Sequence, residues 1–233
     1  YLYEQRYDRT GTYSLGEYDN TINSIVEGTQ GNTDVTWQTE RKADIGFDFS
    51  LFKGKISGSF DYFDNYRYDI LTKRSTIPGY FGVAPDNLPP VNIGKVSNKG
   101  YEIEITYNGN AGPVKFNIKG DFSFAKNKIL FMDEPPPKYP WEAETGRSIG
   151  MTRQWTWLGF YQSQKDIDTS AVPPNTVKPG YLKYKDLNGD GIIDNDDKAF
   201  MGYPNLPNTN IGLTPGLNYK GISFSILLQT ALR

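Results

Sequence analysis

Two neighbouring stretches of the chain, residues 98–107 and 114–126, alternate between apolar and polar side chains. Their apolar positions are Tyr101, Ile103, Ile105, Tyr107, Phe116, Ile118, Phe122 and Phe124. Because the side chains of a strand point to opposite faces with a period of two, each stretch predicts a strand with one aromatic-rich face and one polar face. The Gly- and Asn-rich residues between the stretches suit the turn of a hairpin.

The same alternation recurs along the chain and predicts six strands in three hairpins. Their approximate ranges are 37–51, 55–68, 98–107, 114–126, 209–219 and 222–229. Residues 1–36 show no sustained periodicity and predict irregular structure, with at most a short strand near residues 3–7. The turns inside the hairpins are short, but the connections between hairpins run to about 30 and about 80 residues, far above the usual loop of roughly 4–6.

Short turns at one end and long loops at the other are typical of an outer-membrane barrel. We therefore predict an all-β fold, a segment of a transmembrane antiparallel β-barrel with short periplasmic turns and long extracellular loops, in a single partial domain over residues 1–233. The large extracellular loop would be 127–208. It would include the strand-like stretch 151–163, because one more crossing would put the short turns on opposite sides of the membrane.

A soluble β-sandwich with one polar face per sheet produces the same alternation, so it stays open as the alternative. The two architectures differ in what the apolar faces meet. A barrel would expose to lipid the side chains of Phe47, Phe49, Ile103, Ile105, Phe122 and Leu227, and a sandwich would bury them all.

Composition excludes several classes of function. The chain has 17 Tyr, 13 Phe and 4 Trp but a mean hydropathy of −0.59, as expected of strands with one wet face. Lys plus Arg number 25 and Asp plus Glu 27, so nothing favours nucleic acid. With no His and no Cys, His-containing triads and the usual zinc sites are impossible, and we predict that the protein is not an enzyme.

Several strings resemble a known family. Residues 92–105 (NIGKVSNKGYEIEI) are similar to the N-I-G-x-V-x-N-x-G-[FY]-E stretch of SusC/RagA-type TonB-dependent transporters. Residues 179–213, with the string YKDLNGDGIIDNDDKAFMGYPNLPNTNIGL, resemble the segment that precedes a barrel strand in that family. Residues 36–63 are similar to its Trp-Glu-containing strand pair, although Gln38 stands where Glu is usual.

The resemblance implies a multi-pass β-barrel segment in the outer membrane of a Gram-negative bacterium, surrounded by outer-membrane lipid. Such a transporter imports oligosaccharides or peptides, works with a SusD-like surface lipoprotein and is driven through TonB. The TonB box and the plug have no counterpart in this chain, which we expect to be an interior fragment of a longer protein. The alternative function is a secreted, calcium-stabilised β-sandwich that binds glycans.

One acidic stretch fits the template of a calcium-binding loop. Oxygen ligands fall at the required spacing as Asp186, Asn188, Asp190, Asp194 and Asp197, with the carbonyl of Ile192 between them. Gly191 occupies the position where the backbone must turn sharply. The departure is Asp197 in place of the usual bidentate Glu, and the flanking helices of an EF-hand are missing. We predict a structural Ca²⁺ site, against the alternative of a solvated acidic turn.

Two further groups of side chains are candidates for ligand contact. Trp141, Trp155 and Trp157 lie in the large loop, where aromatic rings stack on sugars but more often pack the loop itself. On the polar strand faces, Glu102, Glu104, Lys115, Lys119 and Asp121 would line the barrel interior. The paired Glu102 and Glu104 suggest glycosidase chemistry only superficially, because no motif surrounds them.

Overall fold

The protein is described by a computed structural model for residues 2–16 and 20–233, and its regular structure consists mainly of strands. The strands are β1 (Tyr7–Leu15), β2 (Asn20–Glu27), β3 (Thr39–Leu51), β4 (Ile56–Thr72), β5 (Val91–Ala111), β6 (Val114–Phe131), β7 (Arg153–Trp155), β8 (Trp157–Phe160), β9 (Leu182–Tyr184), β10 (Lys198–Phe200), β11 (Thr209–Tyr219), β12 (Ile222–Ser225) and β13 (Leu228–Leu232). The described residues form one short helix, α1 (Gln164–Asp168), with 3-10 turns at Gly79–Phe81, Pro85–Asn87, Pro140–Glu142 and Asn195–Asp197.

Seven strands form the main sheet, in the order β12-β11-β6-β5-β4-β3, with β13 also paired to β11. β12 and β13 keep one register on β11, since Gly216 is opposite Ser225 and Leu213 is opposite Leu228. Pro215 lies opposite the break between them, where the N–H of Ile226 donates to its carbonyl at 3.1 Å. Proline has no N–H that could donate a hydrogen bond back to Ile226. The ladder is therefore interrupted there, and the last strand is divided into β12 and β13.

The hairpin turns of the main sheet contain positive φ angles, including 59° at Gly112 between β5 and β6. Between β3 and β4, Phe52, Lys53 and Gly54 have φ of 53°, 57° and 83°. Between β11 and β12, Lys220 and Gly221 have φ of 47° and 86°, the pattern of a two-residue turn whose twist matches the flanking strands. These tight turns fix the register of each hairpin.

The central strands are longer than the sequence pattern predicted. β4 continues to Thr72 instead of residue 68, β5 begins at Val91 instead of residue 98, and β6 ends at Phe131 instead of residue 126. Ladder hydrogen bonds come from the backbone, so pairing continues after the apolar alternation has ended. β5 has 21 residues, whereas a membrane crossing needs only about 9–11. The large loop therefore begins after Phe131, not at 127.

The prediction of irregular structure over residues 1–36 was wrong. β1 and β2 form an antiparallel hairpin in which Tyr7 is opposite Glu27 and Tyr13 is opposite Ile22. Their sequences mix polar and apolar residues without strict alternation, because neither face is buried and a two-stranded ribbon does not demand it. Residues 17–19, between the strands, lie outside the described part of the chain.

The strand-like stretch 151–163 lies outside the main sheet, as predicted. Its strands pair locally instead, β7 with β10 and β8 with β9, in two small antiparallel sheets. The helix α1 follows, capped by the hydroxyl of Ser163, which accepts the N–H of Asp166 at 3.2 Å. The large loop is therefore an ordered substructure.

Backbone contacts divide the chain into two units. The first comprises residues 1–41, 66–96 and 130–135, and the second 42–65, 97–129 and 136–233. Leu88 in the first unit and Ile129, Tyr161 and Ile193 in the second are the buried hydrophobic side chains of the described residues. So few buried apolar residues do not make the core of a soluble domain of this length. None of the helices formed by the described residues has the length and apolar character needed to cross a membrane.

Candidate functional site

The main sheet carries aromatic and aliphatic side chains on one face, here called the apolar face. On adjacent strands, the ring of Phe47 lies 5.6 Å from that of Phe60, and the ring of Tyr101 lies 5.7 Å from that of Phe122. These side chains are not buried in a core, since Phe47 is 60% exposed and Ile105 is 47% exposed. The sandwich alternative required them to be buried, so the structure supports the barrel wall.

The apolar face continues onto the last strands, with one correction. Ile211 is opposite Phe122, and Leu217 pairs with Phe224 of β12. The register of β13 puts Leu227 opposite Thr214, on the polar face, so the prediction that lipid meets Leu227 was wrong. Ile226 and Leu227 are consecutive, and two consecutive strand residues cannot share a face.

The opposite face, here called the polar face, carries the predicted lining residues. Glu104 of β5 and Lys119 of β6 form an ion pair at 2.7 Å, which places both on this face. Asp121 is opposite Gly212, and a Cβ on that glycine would lie 2.7 Å from the Asp121 carboxyl carbon. By the two-residue period, Glu102 and Lys115 point the same way. The face is a mixed-charge surface held by cross-strand pairs, with no catalytic arrangement among the described residues.

The three tryptophans predicted as ligand contacts have different surroundings. The indole N–H of Trp141 donates to the Asp196 carbonyl at 2.8 Å, and that of Trp155 donates to the Asp194 carbonyl at 2.7 Å. Both rings therefore pack against residues 186–197, here called the acidic turn. Trp157 bonds only locally, to the Gly159 carbonyl at 2.7 Å, and is 58% exposed.

Charged side chains reinforce this packing. Lys138 lies 2.5 Å from the Asp196 carboxylate, and that hydrogen bond raises the pKa of Lys138 above its ordinary value. The ammonium group of Lys198 lies 4.0 Å from the centre of the Trp155 ring, a cation–π contact. Near α1, the hydrogen bond from Lys183 at 2.7 Å lowers the pKa of Asp166. Both ion pairs stay charged at neutral pH.

The acidic turn closes around Asp197. This side chain has no exposed surface, and its carboxylate accepts the N–H groups of Leu187 at 2.7 Å, Asn188 at 3.4 Å and Asp194 at 3.0 Å. At the start of the turn, the Asp186 carboxylate accepts two more backbone N–H groups in the same way. The calcium-loop template places Asp197 at the last ligand position. In the structure, the Asp197 carboxylate connects the two ends of the turn through these hydrogen bonds.

The residues predicted to hold calcium do lie in this one turn. They are Asp186, Asn188, Asp190, Ile192, Asp194 and Asp197. Across residues 2–16 and 20–233, however, no three acidic side chains converge in a manner that would hold a metal ion. Calcium binding at this turn stays a prediction.

One feature of the second unit was not predicted, a cleft of about 740 Å³, here called the cationic cleft. Its lining includes four cations, Lys99, Lys126, Lys128 and Arg147, and four aromatic residues, Tyr62, Tyr101, Phe124 and Tyr203. The sequence held one signal: two lysines follow Phe124 at the same two-residue spacing. The others come from four separate segments, which only strand pairing and loop folding bring together.

Comparison with known proteins agrees with this geometry. Residues 4–225 match the family described as "TonB dependent receptor-like, beta-barrel". A TonB-dependent receptor of Formosa agariphila is 32% identical over 92% of this chain and 23% of its own length. The TonB-dependent receptor SusC of Bacteroides thetaiotaomicron is 24% identical over 100% of this chain and 23% of its own length.

Among solved structures, a RagAB peptide transporter aligns over 98% of this chain and 24% of that chain, with a TM-score of 0.67 and 15% identity. At that identity the likeness shows a common fold. The chain spans about a quarter of the length of the relatives it matches.

The main sheet is a segment of an antiparallel β-barrel with short turns at one end and long loops at the other. The chain belongs to the TonB-dependent receptor β-barrel family, an outer-membrane family of transporters and not of enzymes.

Proposed function

We propose that this chain forms part of the wall and an external loop of an outer-membrane importer of oligosaccharides or peptides. The observation that carries the proposal is the two-faced sheet. An exposed apolar face suits bilayer lipid, and a mixed-charge polar face suits the interior of a barrel. In this arrangement cargo passes through without covalent chemistry, and the wall supplies shape and hydrogen-bonding groups.

The partners of this importer are proposed from the proteins that the chain resembles. Similarity to SusC and to a RagAB peptide transporter supports a SusD-like surface lipoprotein over the outer loops and energy supplied through TonB. The chain covers about a quarter of those relatives, so contact with TonB is assigned to the rest of the protein. Similarity to the RagAB peptide transporter supports a peptide cargo, whereas the SusC/RagA resemblance of the sequence supports either peptide or oligosaccharide.

Within the large loop, Trp157 is the tryptophan best suited to contact cargo or the lipoprotein. The residue is 58% exposed, and its neighbours Leu158 and Phe160 are 56% and 49% exposed. The indole N–H groups of Trp141 and Trp155 already donate hydrogen bonds to the acidic turn. They are assigned to shaping the loop that presents Trp157.

The test uses the full-length protein in its native bacterium. We expect it in the outer membrane with gel migration that changes on boiling, as closed barrels show. Deleting the gene should abolish growth on one class of nutrient, oligosaccharide or peptide, and TonB depletion should reproduce the loss. A tagged protein should co-purify with a surface lipoprotein.

A matched pair of variants separates the role of Trp157 from the general effect of removing an exposed tryptophan. Trp157→Ala should lower uptake severalfold at unchanged protein level, whereas Trp37→Ala, at a residue 90% exposed outside the loop, should not. Recovery as a soluble secreted protein, or normal growth of the deletion strain on both nutrient classes, would overturn the transporter proposal.

We also propose that the acidic turn binds calcium as a stiffening site. Support comes from the ligand spacing and from the sharp bends at Gly189 and Gly191, whose φ angles are 78° and 83°. Calcium titration of the full-length protein should show binding that Asp190→Ala removes and that Asp168→Ala, on α1, leaves intact. If no binding appears at millimolar calcium, the turn is held by its own hydrogen bonds alone.

A further inference from the structure

The cationic cleft begins where the apolar face ends. The rings of Tyr101 and Phe124 lie 5.6 Å apart on β5 and β6, and they belong to the apolar face. Two residues further along the same face come Lys99 on β5 and Lys126 on β6, each about 7 Å beyond its aromatic neighbour. Along these strands, the apolar face changes to a cationic surface in one step.

The cleft has an excess of positive charge. Lys99 is neutralised by Asp64, with an ion pair of 2.6 Å, but Asp64 does not line the cleft. Among the ion pairs of the described residues, none involves Lys126, Lys128 or Arg147. No Asp or Glu is among the lining residues, so these three cations have no counter-charge inside the cleft.

Neutral hydrogen-bonding groups also line the cleft. Ser148 is itself held by the Asn127 carbonyl at 2.7 Å, and the backbone of Arg147 pairs with Ile129 at 2.8 Å, so the loop side of the cleft is anchored to β6. Asn208 and Tyr203 lie on the same rim, and Tyr203 is 65% exposed. The lining therefore combines aromatic rings with cations and with amide and hydroxyl groups.

We propose that the cationic cleft binds the phosphorylated headgroup of an outer-leaflet lipid. This rests on the proposed function, which puts the apolar face in the bilayer and the long loops outside. A lipid whose chains lie along the apolar face then has its headgroup at the level of Lys126 and Lys128. Interfacial aromatic residues and basic side chains at the ends of a membrane segment are the groups that recognise anionic headgroups.

The experiment uses the full-length protein purified in detergent and titrated with outer-leaflet glycolipid that carries its phosphate groups. The double variant Lys126→Gln/Lys128→Gln should raise the apparent Kd about tenfold or more, from the loss of two headgroup cations. The matched control is Lys115→Gln, which removes a cation from the polar face of the same strand and should leave the Kd unchanged.

Two further ligands identify the source of the negative charge. Dephosphorylated glycolipid should bind the unsubstituted protein as weakly as phosphorylated lipid binds the double variant. Inorganic phosphate alone should not compete at concentrations near that of the lipid. Equal affinity of the double variant and the parent, or competition by free phosphate, would overturn the proposal.

The two proposals fail separately. If the protein shows heat-modifiable migration and supports uptake but retains lipid equally in all variants, only the lipid site is wrong. If the protein is not in the outer membrane, the transporter proposal fails and the lipid site fails with it. Heat-modifiable migration of the double variant confirms that any loss of lipid is not a loss of folding.

Discussion

Replacing Gly100 by valine is expected to prevent assembly of the barrel wall. Gly100 lies in β5 at the centre of the main sheet, and a Cβ there would overlap the carbonyl oxygen of Phe124 and lie 2.5 Å from the Phe63 ring. A rotamer change does not move a backbone carbonyl, so β5 and β6 would have to separate locally. We expect a loss of roughly 3 kcal/mol, at the upper end of overpacking effects, in a strand that both neighbours depend on.

The control for this substitution is Gly120→Val on the neighbouring strand β6. No atom lies within 4 Å of a Cβ placed there, and β-branched residues suit strands. In full-length protein, Gly100→Val should reduce the folded form, measured as the heat-modifiable band from outer membranes, at least fivefold. Gly120→Val should leave that band within a factor of about two. Equal amounts of both variants would show that the sheet absorbs the added side chain at Gly100.

Replacing Asp197 by alanine is expected to open the acidic turn. The buried carboxylate accepts three backbone N–H groups, from Leu187, Asn188 and Asp194, and alanine would leave them without an acceptor. Hydrogen bonds to a charged group contribute about 1.5–3 kcal/mol each, and unsatisfied buried donors carry a comparable penalty. We expect the local free energy of opening to fall by roughly 3 kcal/mol, because some donors will find water.

Limited proteolysis of intact cells measures this opening. Trypsin sites at Lys185 and Lys198 flank the turn, and a fall of roughly 3 kcal/mol corresponds to about a hundredfold faster cleavage when opening is in rapid equilibrium. Asn195→Ala, at an exposed position of the same turn, should cleave at the parent rate. A rate for Asp197→Ala that matches Asn195→Ala would mean that the turn is held by its tryptophan and lysine contacts instead.

Strand identity along the main sheet could be predicted because it depends on local alternation. The run from Tyr101 to Tyr107 indicates one wet and one apolar face whatever its partner is, and the exposed Ile105 shows which medium the apolar face suits. The strand ends could not be predicted in this way. β5 extends back to Val91 because its neighbours continue to offer backbone partners, a property of the sheet and not of the side chains.

The hairpin of β1 and β2 and the side of Leu227 were missed for a related reason. In the hairpin, Tyr13 opposite Ile22 is a cross-strand pair, visible only when the partner is known. Leu227 follows Ile226, and hydrophobicity gives no basis for choosing between them. The register set by the Lys220-Gly221 turn makes the choice and gives the apolar face to Ile226.

The glycine of the NKGYEIEI string illustrates how a motif acquires a physical meaning. In the sequence, Gly100 is known only as one position of the string that resembles the family. In the structure, it is the place where the backbone of β6 and the ring of Phe63 leave no room for a side chain. Likewise, the ligand spacing from Asp186 to Asp197 is visible in the sequence, but the inward-facing role of Asp197 is not.

By itself, the sequence determined that the chain is a set of two-faced strands, that His- and Cys-dependent chemistry is excluded, and that the family is that of TonB-dependent transporters. Each of these depends on the order or identity of residues close together in the chain. Only the tertiary structure decided which residues share a face, where each strand ends and that Lys99, Lys126, Lys128 and Arg147 line one cleft. The reason is that strand register and loop folding bring together residues that the chain itself keeps apart.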